Sequence, residues 1–215
     1  AQDGKHIKCF PLRAELATDL TADRPHSSSR VGFAAARMQK QKKKHLVERL
    51  TPMKIALINE NSQNSKNPII EAALKKVVEP MGHTVFNYGM YADADSKPLT
   101  YVQNGILAAV LLNSGAADYV VTGCGTGEGA MLACNSFPGV LCGHVADPLD
   151  AYTFAQVNDG NAVAMPFALK NGWGQELNLE YTFEKLFGFG SGNGYPAERV
   201  EPEQRNKKIL DGVRA

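Results

Sequence analysis

The chain has few cysteines and no long apolar run, and both absences narrow what it can be. Its 215 residues include four cysteines with no Cys-x-x-Cys pair. This spacing disfavours a zinc site and a disulfide framework, and it fits a reducing compartment such as the cytoplasm. No stretch of about 18 apolar residues is present, so we expect no contact with a membrane. The four cysteines are Cys9, Cys124, Cys134 and Cys142.

The chain also lacks a strong charge of either sign. Its formal net charge is +1, and its one dense basic run is QKQKKKH at residues 39–45. Such a run is usually a solvated surface, so nucleic acid is not an expected partner. Residues 1–52 show no alternation of strand and helix patterns and are predicted to form a basic N-terminal extension, with one amphipathic helix over residues 34–50. The main domain is predicted over residues 53–215.

From Met53 onward, short apolar runs alternate with amphipathic patterns. One such pattern, PIIEAALKKVVEPMG, begins at Pro68 and places its apolar residues on one helical face. The alternation predicts an α/β fold, an open doubly wound (Rossmann-like) parallel sheet of about five strands with helices on both faces. The predicted strands are KIALIN, HTVFNYG, DYVVTG, GVLCGHV and NAVAM, at residues 54–59, 83–89, 118–123, 139–145 and 161–165.

A glycine-rich loop follows the third predicted strand. The segment TGCGTGEGAMLACN, residues 122–135, has Cys124 at the mouth of the turn and Glu128 inside it. Ligands bind at the carboxyl ends of the strands in a doubly wound sheet, so the loop falls on the functional edge. Cys124 could be a core thiol, a metal ligand, or a nucleophile or base where a helix begins. The glycine setting favours the last, because a helix start favours an anion such as a thiolate.

Other polar residues are expected near this edge. Glu60 and Asn61 follow the first predicted strand, and His144 ends the fourth. Asn158 and Asp159 precede the fifth strand, at the tip of a helix that either folds over the cleft or does not.

Several of these residues also have purely structural interpretations. Glu128 is either an acid in the site or a solvated turn residue, and His144 is either an acid or a hydrogen-bonded structural histidine. Asp147 precedes PLDAY and is interpreted as a helix cap. Cys134 and Cys142 lie within apolar patterns and are predicted to be core thiols.

The loop does not fit a nucleotide-binding motif. It follows the third strand, it would place Glu128 against a pyrophosphate, and it lacks the Lys-Ser/Thr ending of a P-loop. The acid expected at the end of the second strand for a ribose is missing, since Asp93 and Asp95 come well past that end. A nucleotide-binding enzyme is therefore the weakest of the interpretations.

Three segments resemble one known family. GCGTGEGAMLACNSFPGV (residues 123–140) resembles the C-G-T-G-x-G…A-x-N…P-G segment of ribose-5-phosphate isomerase B and the galactose-6-phosphate isomerase subunits. DPLDAYTFAQVNDGNAVAM (147–165) resembles the family's next segment, and GYPAERV (194–200) resembles its C-terminal arginine motif. The likeness covers residues 53 to about 205. It implies aldose–ketose isomerisation of a pentose or hexose phosphate through an enediolate, with no metal or organic cofactor.

The resemblance also implies the residues of the proton-transfer step. Cys124 would be the base that moves a proton between C1 and C2. Thr126 would help to hold the enediolate oxygen. Glu60, with Asn61 beside it, would take the place of an aspartate that assists ring opening or binds a hydroxyl. The backbone amides expected around the oxygen are those of Gly125, Gly127, Glu128 and Gly129.

The remaining implied residues bind the substrate. Asn158, with Asp159 beside it, would bind a sugar hydroxyl, and Arg199 would bind the substrate phosphate. The family is dimeric with shared active sites, so the resemblance implies a homodimer whose ligand is a small sugar or sugar phosphate.

The chain departs from the family pattern mainly where substrate would bind. Val157 and Asn61 replace two histidines, and Ala155 replaces an arginine. In the C-terminal motif, Tyr195 and Pro196 replace an arginine and a histidine. Phosphate binding normally needs about two or more charge-assisted donors, so the loss of these cationic residues is expected to weaken the binding of a substrate phosphate. Two alternatives stay open for this reason: an isomerase of an unphosphorylated sugar derivative, and a non-catalytic or divergent sugar-binding protein of the same fold.

Overall fold

The computed structural model describes residues 51–91, 98–169 and 171–214. The predicted basic extension lies outside the described residues except for its last two positions, and the helix predicted over 34–50 lies wholly outside them. Asp93 and Asp95 are also outside.

Five parallel strands form one sheet, which confirms the predicted fold class. The strands are β1 (Lys54–Ile58), β2 (Thr84–Asn87), β3 (Tyr119–Cys124), β4 (Cys142–His144) and β5 (Ala162–Pro166). Their order across the sheet is β2-β1-β3-β5-β4, and every neighbouring pair is parallel.

β4 is shorter than the sequence pattern predicts. Gly139 has a positive φ of 72°, which breaks extended backbone at the start of the predicted strand. The Leu141 amide donates to the Asn161 side chain instead of to a neighbouring strand. Regular pairing therefore begins only at Cys142, which lies opposite Ala162 of β5.

Helices cover both faces of the sheet. Their bounds are α1 (Asn67–Val78), α2 (Tyr101–Asn113), α3 (Glu128–Asn135), α4 (Pro148–Thr153), α5 (Gln175–Phe187) and α6 (Val200–Arg214), with short 3-10 helices at Asn61–Lys66, Glu79–Met81 and Ala197–Arg199. Asp147 caps α4 as predicted, since its carboxylate accepts the amides of Leu149 and Asp150. α4 continues into a π turn, Phe154–Asn158. No helix within the described ranges is both long and apolar enough to cross a membrane.

Each face of the sheet has its own core. Ile55 and Leu57 of β1 pack on the α1/α5 face, whereas Ala56 and Ile58 pack on the α2/α3 face. Successive side chains of a strand point to opposite faces, so a strand buried on both sides has to be apolar at every position. This is why β1 appears in the sequence as an unbroken apolar run.

A buried polar network joins α2 to the carboxyl ends of β1 and β3. The Thr122 hydroxyl donates to the Ile58 carbonyl at 2.7 Å. The Asn104 side-chain amide donates to the same carbonyl and to the Thr122 hydroxyl, each at 3.1 Å. Asn104 and Thr122 are fully buried, and leaving one member of such a network unpaired costs about 1–3 kcal/mol. The network holds the edge of the sheet at which both strands end.

His83 makes the stability of this fold depend on pH. Its Nδ1 accepts the Met53 amide at 3.1 Å, and its ring lies near the Phe187 ring. Burial lowers the pKa of His83 below its usual value of 6.5. Because the unfolded chain then binds this proton more readily than the folded chain, the stabilisation is complete above pH 6.5 and is lost as the pH falls below it.

We predict that the free energy of unfolding falls more steeply in the wild type than in His83→Asn as the pH is lowered from 7 to 5. The added slope is at most about 1.4 kcal/mol per pH unit, the value for one proton. Asparagine keeps an acceptor near the Nδ1 position but does not titrate. Urea denaturation at several pH values measures both slopes, and parallel slopes would contradict the assignment.

Candidate active site

The crevice of the sheet lies between β1 and β3. The chain runs from β1 outward to β2 and then returns to β3 on the other side of β1. In doubly wound sheets the point where the strand order reverses is where ligands bind. Ile58 lies opposite Thr122 in this pair, so Glu60 and Cys124 both emerge at the same edge.

Cys124 is the last residue of β3. Its side chain is only 8% exposed and packs in the core of the α2/α3 face. Its carbonyl accepts the Phe167 amide at 2.9 Å, and the Gly125 carbonyl accepts the Ala168 amide at 2.9 Å. These two bonds extend the pairing of β3 with β5 past the ends of the strands, so the start of the loop is held on rigid backbone.

Gly127 turns the chain from the loop into α3. Its φ is +81°, a left-handed conformation that side chains rarely adopt. A β-carbon there would also lie 2.9 Å from the His144 ring and from the Met165 backbone. α3 begins at Glu128, so the loop amides lie at the N-terminus of a helix, where anions are favoured.

Gly125 borders open space. A β-carbon there would meet only the Ala168 β-carbon at 3.8 Å and the Gln63 amide nitrogen at 4.0 Å. Gly123, two residues earlier, is different, because a β-carbon would lie 2.3 Å from the Met165 carbonyl oxygen. Gly123 is thus required by packing, whereas Gly125 leaves room for a ligand to approach the backbone beside Cys124.

Glu60 is buried at the end of β1, where it caps the 3-10 helix that follows. Its carboxylate accepts the Ser62 amide at 2.8 Å and the Ser62 hydroxyl at 2.5 Å. Asn61 is exposed, and its backbone amide donates to the Leu99 carbonyl at 2.8 Å. Both predicted residues therefore lie at the expected edge, and Glu60 is held by local hydrogen bonds.

His144 reaches the glycine loop from the end of β4. Its Nε2 lies 2.9 Å from the Thr126 carbonyl oxygen and 3.8 Å from a Glu128 carboxylate oxygen. The Thr126 and Glu128 side chains are exposed at this edge. No group of three or more His, Cys, Asp or Glu side chains in the described ranges is arranged to hold a metal ion.

The two other thiols near the loop belong to the core, as predicted. Cys134 of α3 and Cys142 of β4 are buried. A hydrogen bond from Cys142 lowers the pKa of the Cys134 thiol.

α3 packs closely against α2, since a β-carbon on Gly105 would lie 2.7 Å from the Ala133 backbone.

The structure adds residues to this edge that sequence reasoning missed. The Lys66 ammonium donates to the Phe167 carbonyl, so a cation lies beside the segment that holds Cys124. The Tyr101 ring would lie 3.2 Å from a β-carbon on Gly129 and therefore covers the first turn of α3. Its place in NSQNSK, a polar segment that begins just after the Asn59-Glu60 end of the first predicted strand, is the sequence signal that could have found Lys66.

Asn158 and Asp159 lie at the opposite edge of the sheet. The Val120 amide donates to the Asn161 carbonyl at 3.0 Å, so residues 158–161 sit beside the start of β3. Cys124 is four residues further along β3, or roughly 13 Å at about 3.3 Å per residue. The helix before β5 therefore does not fold over the cleft of its own chain.

Arg199 lies with this second group. The amides of Gly192 and Gly194 donate to the Ala155 and Gln156 carbonyls at 2.8 and 2.9 Å, which fixes the segment before Arg199 against the π turn. Arg199 itself is exposed. A cavity of about 330 Å³ borders the same region, and its lining includes Val157, Asp159, Gly192, Glu203 and Lys207. One chain thus carries two separate groups of predicted site residues.

Comparison with known families decides what kind of protein has this geometry. The family model described as ribose/galactose isomerase matches residues 55–185, which include the crevice between β1 and β3, the cysteine loop and the turn before β5. The chain belongs to this family. It is a sugar isomerase, as the resemblance of its motifs implied.

Solved structures of sugar isomerases give further matches. A 4-deoxy-L-threo-5-hexosulose-uronate ketol-isomerase complexed with a tartrate is 65% identical, with 75% of this chain and 76% of that chain covered and a TM-score of 0.74. A ribose-5-phosphate isomerase from Vibrio parahaemolyticus is 51% identical, with 77% of each chain covered and a TM-score of 0.74. A type B ribose 5-phosphate isomerase from Trypanosoma brucei, 18% identical, covers 76% of this chain and 99% of its own at a TM-score of 0.61, and it shares the fold. The search of curated proteins gave no match.

We predict that Gly125→Ala leaves this isomerase folded but lowers its activity by roughly tenfold or more, because the new methyl group would project into the crevice beside Cys124. Gly123→Ala is the matched comparison, and it should lose stability because its methyl group collides with backbone. Thermal unfolding and turnover of the best sugar substrate measure both effects. A fully active Gly125→Ala enzyme would show that substrate does not approach this position.

Proposed function

We propose that this sugar isomerase acts on an unphosphorylated 4-deoxy-hexosulose-uronate and moves its carbonyl group between C1 and C2. The observation that carries the proposal is the 65% identity over three quarters of the chain to a ketol-isomerase named for that substrate. The second candidate is ribose 5-phosphate, supported by the 51% identity to a ribose-5-phosphate isomerase.

The charge of the substrate-binding residues supports the uronate. A phosphate group carries nearly two negative charges and is usually held by several charge-assisted hydrogen bonds, whereas a carboxylate is matched by one bidentate arginine. Tyr195 and Pro196 stand where the family motif has an arginine and a histidine. The Tyr195 ring packs edge-on against Tyr152, with 5.9 Å between centroids. Arg199 remains as the cation of the motif.

The chemistry of ring closure also supports this substrate. An aldehyde at C1 forms a furanose or pyranose ring with a hydroxyl at C4 or C5. A 4-deoxy-5-ulose has no hydroxyl at C4 and a ketone at C5, so its own hydroxyls cannot close either ring on C1. Such a substrate needs no acid to free its aldehyde, which fits the replacement of two family histidines by Val157 and Asn61.

In the proposed reaction Cys124 is the base. Its thiolate removes the proton from C2, the C–H electron pair forms the C1–C2 double bond, and the oxygen on C1 becomes an anion. The amides of residues 125–129 stabilise that anion at the start of α3. The C2 hydroxyl proton then passes to the oxygen on C1, the C2 carbonyl forms, and Cys124 returns its proton to C1. Atoms and electrons balance without an oxidant or reductant.

We also infer that the complete site forms between two copies of the chain. Cys124 lies at the carboxyl edge of the sheet, and Asn158 and Arg199 are grouped at the amino edge. In a two-fold dimer, the carboxyl edge of each chain can face the amino edge of its partner. Each of the two sites then contains Cys124 from one chain and Asn158 and Arg199 from the other.

We predict that the wild type exchanges deuterium from D2O into the hexosulose-uronate and converts it, and that Cys124→Ala lowers both rates by roughly a thousandfold, as expected for loss of a general base. Cys134→Ala is the matched control, because it removes a buried thiol from the same loop-helix unit. Its exchange rate should stay close to that of the wild type.

The same assay includes ribose 5-phosphate, galactose 6-phosphate and unphosphorylated aldoses. A higher kcat/KM for a sugar phosphate than for the uronate would overturn the proposed substrate. Binding without exchange for every sugar would instead favour a binding protein.

We predict that subunits carrying Cys124→Ala and subunits carrying Arg199→Ala, each nearly inactive alone, recover about a quarter of wild-type activity when co-expressed in equal amounts. Half of the random dimers are then mixed, and each mixed dimer has one intact site. Native mass spectrometry verifies the mixing. Mixed dimers without recovered activity would place both residues in one chain's site.

A further inference from the structure

His144 contacts the glycine loop but has no part in the steps of the proposed reaction. Its ring packs against Gly127, where a β-carbon would come within 2.9 Å of both Cδ2 and Nε2. Its Nε2 lies 2.9 Å from the Thr126 carbonyl oxygen. The side chain is 27% exposed, so the ring sits partly sheltered at the rim of the crevice.

The neighbours of Nε2 determine which ring nitrogen carries the hydrogen. Both groups near Nε2, the Thr126 carbonyl and the Glu128 carboxylate, are acceptors. The hydrogen is therefore favoured on Nε2 in the neutral ring and is present there in the charged ring as well. His144 donates to the Thr126 carbonyl in either protonation state.

This hydrogen bond fixes the direction of the next amide. The C=O and N–H of one trans peptide unit point in opposite directions. When His144 holds the Thr126 carbonyl, the Gly127 N–H is directed away from His144. The Met131 amide donates to the Gly127 carbonyl at 3.0 Å and holds the far side of this residue, so the bond from His144 completes the restraint on the peptide between Thr126 and Gly127.

We propose that His144 is a positioning residue for the isomerase reaction, which keeps the Gly127 amide oriented toward the oxygen that becomes negative in the enediolate. The inference rests on the proposed function, because it assigns a role within the same site. It makes β4, the edge strand, part of the catalytic apparatus through one side chain. Preorganised donors of this kind stabilise charge that develops only in the transition state, so their loss lowers kcat more than it raises KM.

The test compares His144→Leu with His144→Gln. Leucine fills similar space without a donor, whereas the glutamine amide nitrogen can reach the position of Nε2. We expect His144→Leu to lower kcat by roughly tenfold to a hundredfold with KM changed less than about threefold, and His144→Gln to recover most of the loss. Equal losses in both variants, or a change confined to KM, would overturn the proposal.

A second measurement works without turnover and decides the question even if His144→Leu fails to fold. NMR of the ¹⁵N-histidine-labelled wild type at neutral pH identifies the tautomer of each ring. We expect the His144 signal, assigned by its absence in His144→Gln, to show hydrogen on Nε2. Hydrogen on Nδ1 alone would contradict donation to Thr126.

The two proposals fail in different ways. If the wild type converts another sugar and not the uronate, the proposed substrate is wrong, and the His144 variants are compared on the sugar that is converted. If the wild type converts the uronate and His144→Leu is as fast, only the positioning role is wrong. If no sugar is converted, the role of His144 in the reaction is overturned together with the proposed function.

Discussion

The pairing of β1 with β3 is the constraint on which the site depends. Because these two strands are adjacent and parallel, Glu60 and the cysteine loop emerge at one edge although they are far apart in sequence. The buried network of Thr122 and Asn104 holds that edge against α2. The loop itself is restrained on its other side by the backbone bonds of Cys124 and Gly125 to the segment after β5.

A loop held in this way is suited to stabilising a developing charge. Its backbone cannot move far without breaking the bonds from the segment after β5 to the Cys124 and Gly125 carbonyls, or the contact between His144 and the Thr126 carbonyl. Rigid amides lose little free energy through reorganisation when an oxyanion forms, which is why preorganisation is a large part of many enzymatic rate enhancements. The same turn therefore leaves open space for a ligand beside Gly125 and holds the rest of the loop backbone in place.

The sequence predicted the sheet well because burial on both faces demands apolar residues at consecutive positions. β1 and β5 were recognisable for that reason, and the cysteine loop was recognisable from its glycines. β4 was predicted too long, because the side chain of Asn161 replaces strand pairing at Leu141, and such a long-range bond leaves no local pattern. Lys66 was missed because its position depends on how a short 3-10 helix turns after β1, which composition does not encode.

The position of the second residue group follows from the parallel topology. A residue directly before a strand of a parallel sheet lies at the amino edge of that sheet, and the pairing of Val120 with Ala162 places Asn158 there. The sequence did not predict that the helix before β5 stays away from the cleft of its own chain, which leaves Cys124 separated from Asn158 and Arg199 by the length of the sheet. The expectation of a shared site came from family resemblance, and it remains a proposal that the separation supports.

The separation has a consequence for how specificity can change. The cysteine loop is tied into the core, where most substitutions disturb packing. Residues 191–199 are held on the π turn by backbone hydrogen bonds of Gly192 and Gly194, and residues 195–199 are exposed, so those side chains can be exchanged at little cost in stability. We expect related isomerases to differ in substrate preference through substitutions in this segment, while the cysteine loop and the type of reaction stay the same.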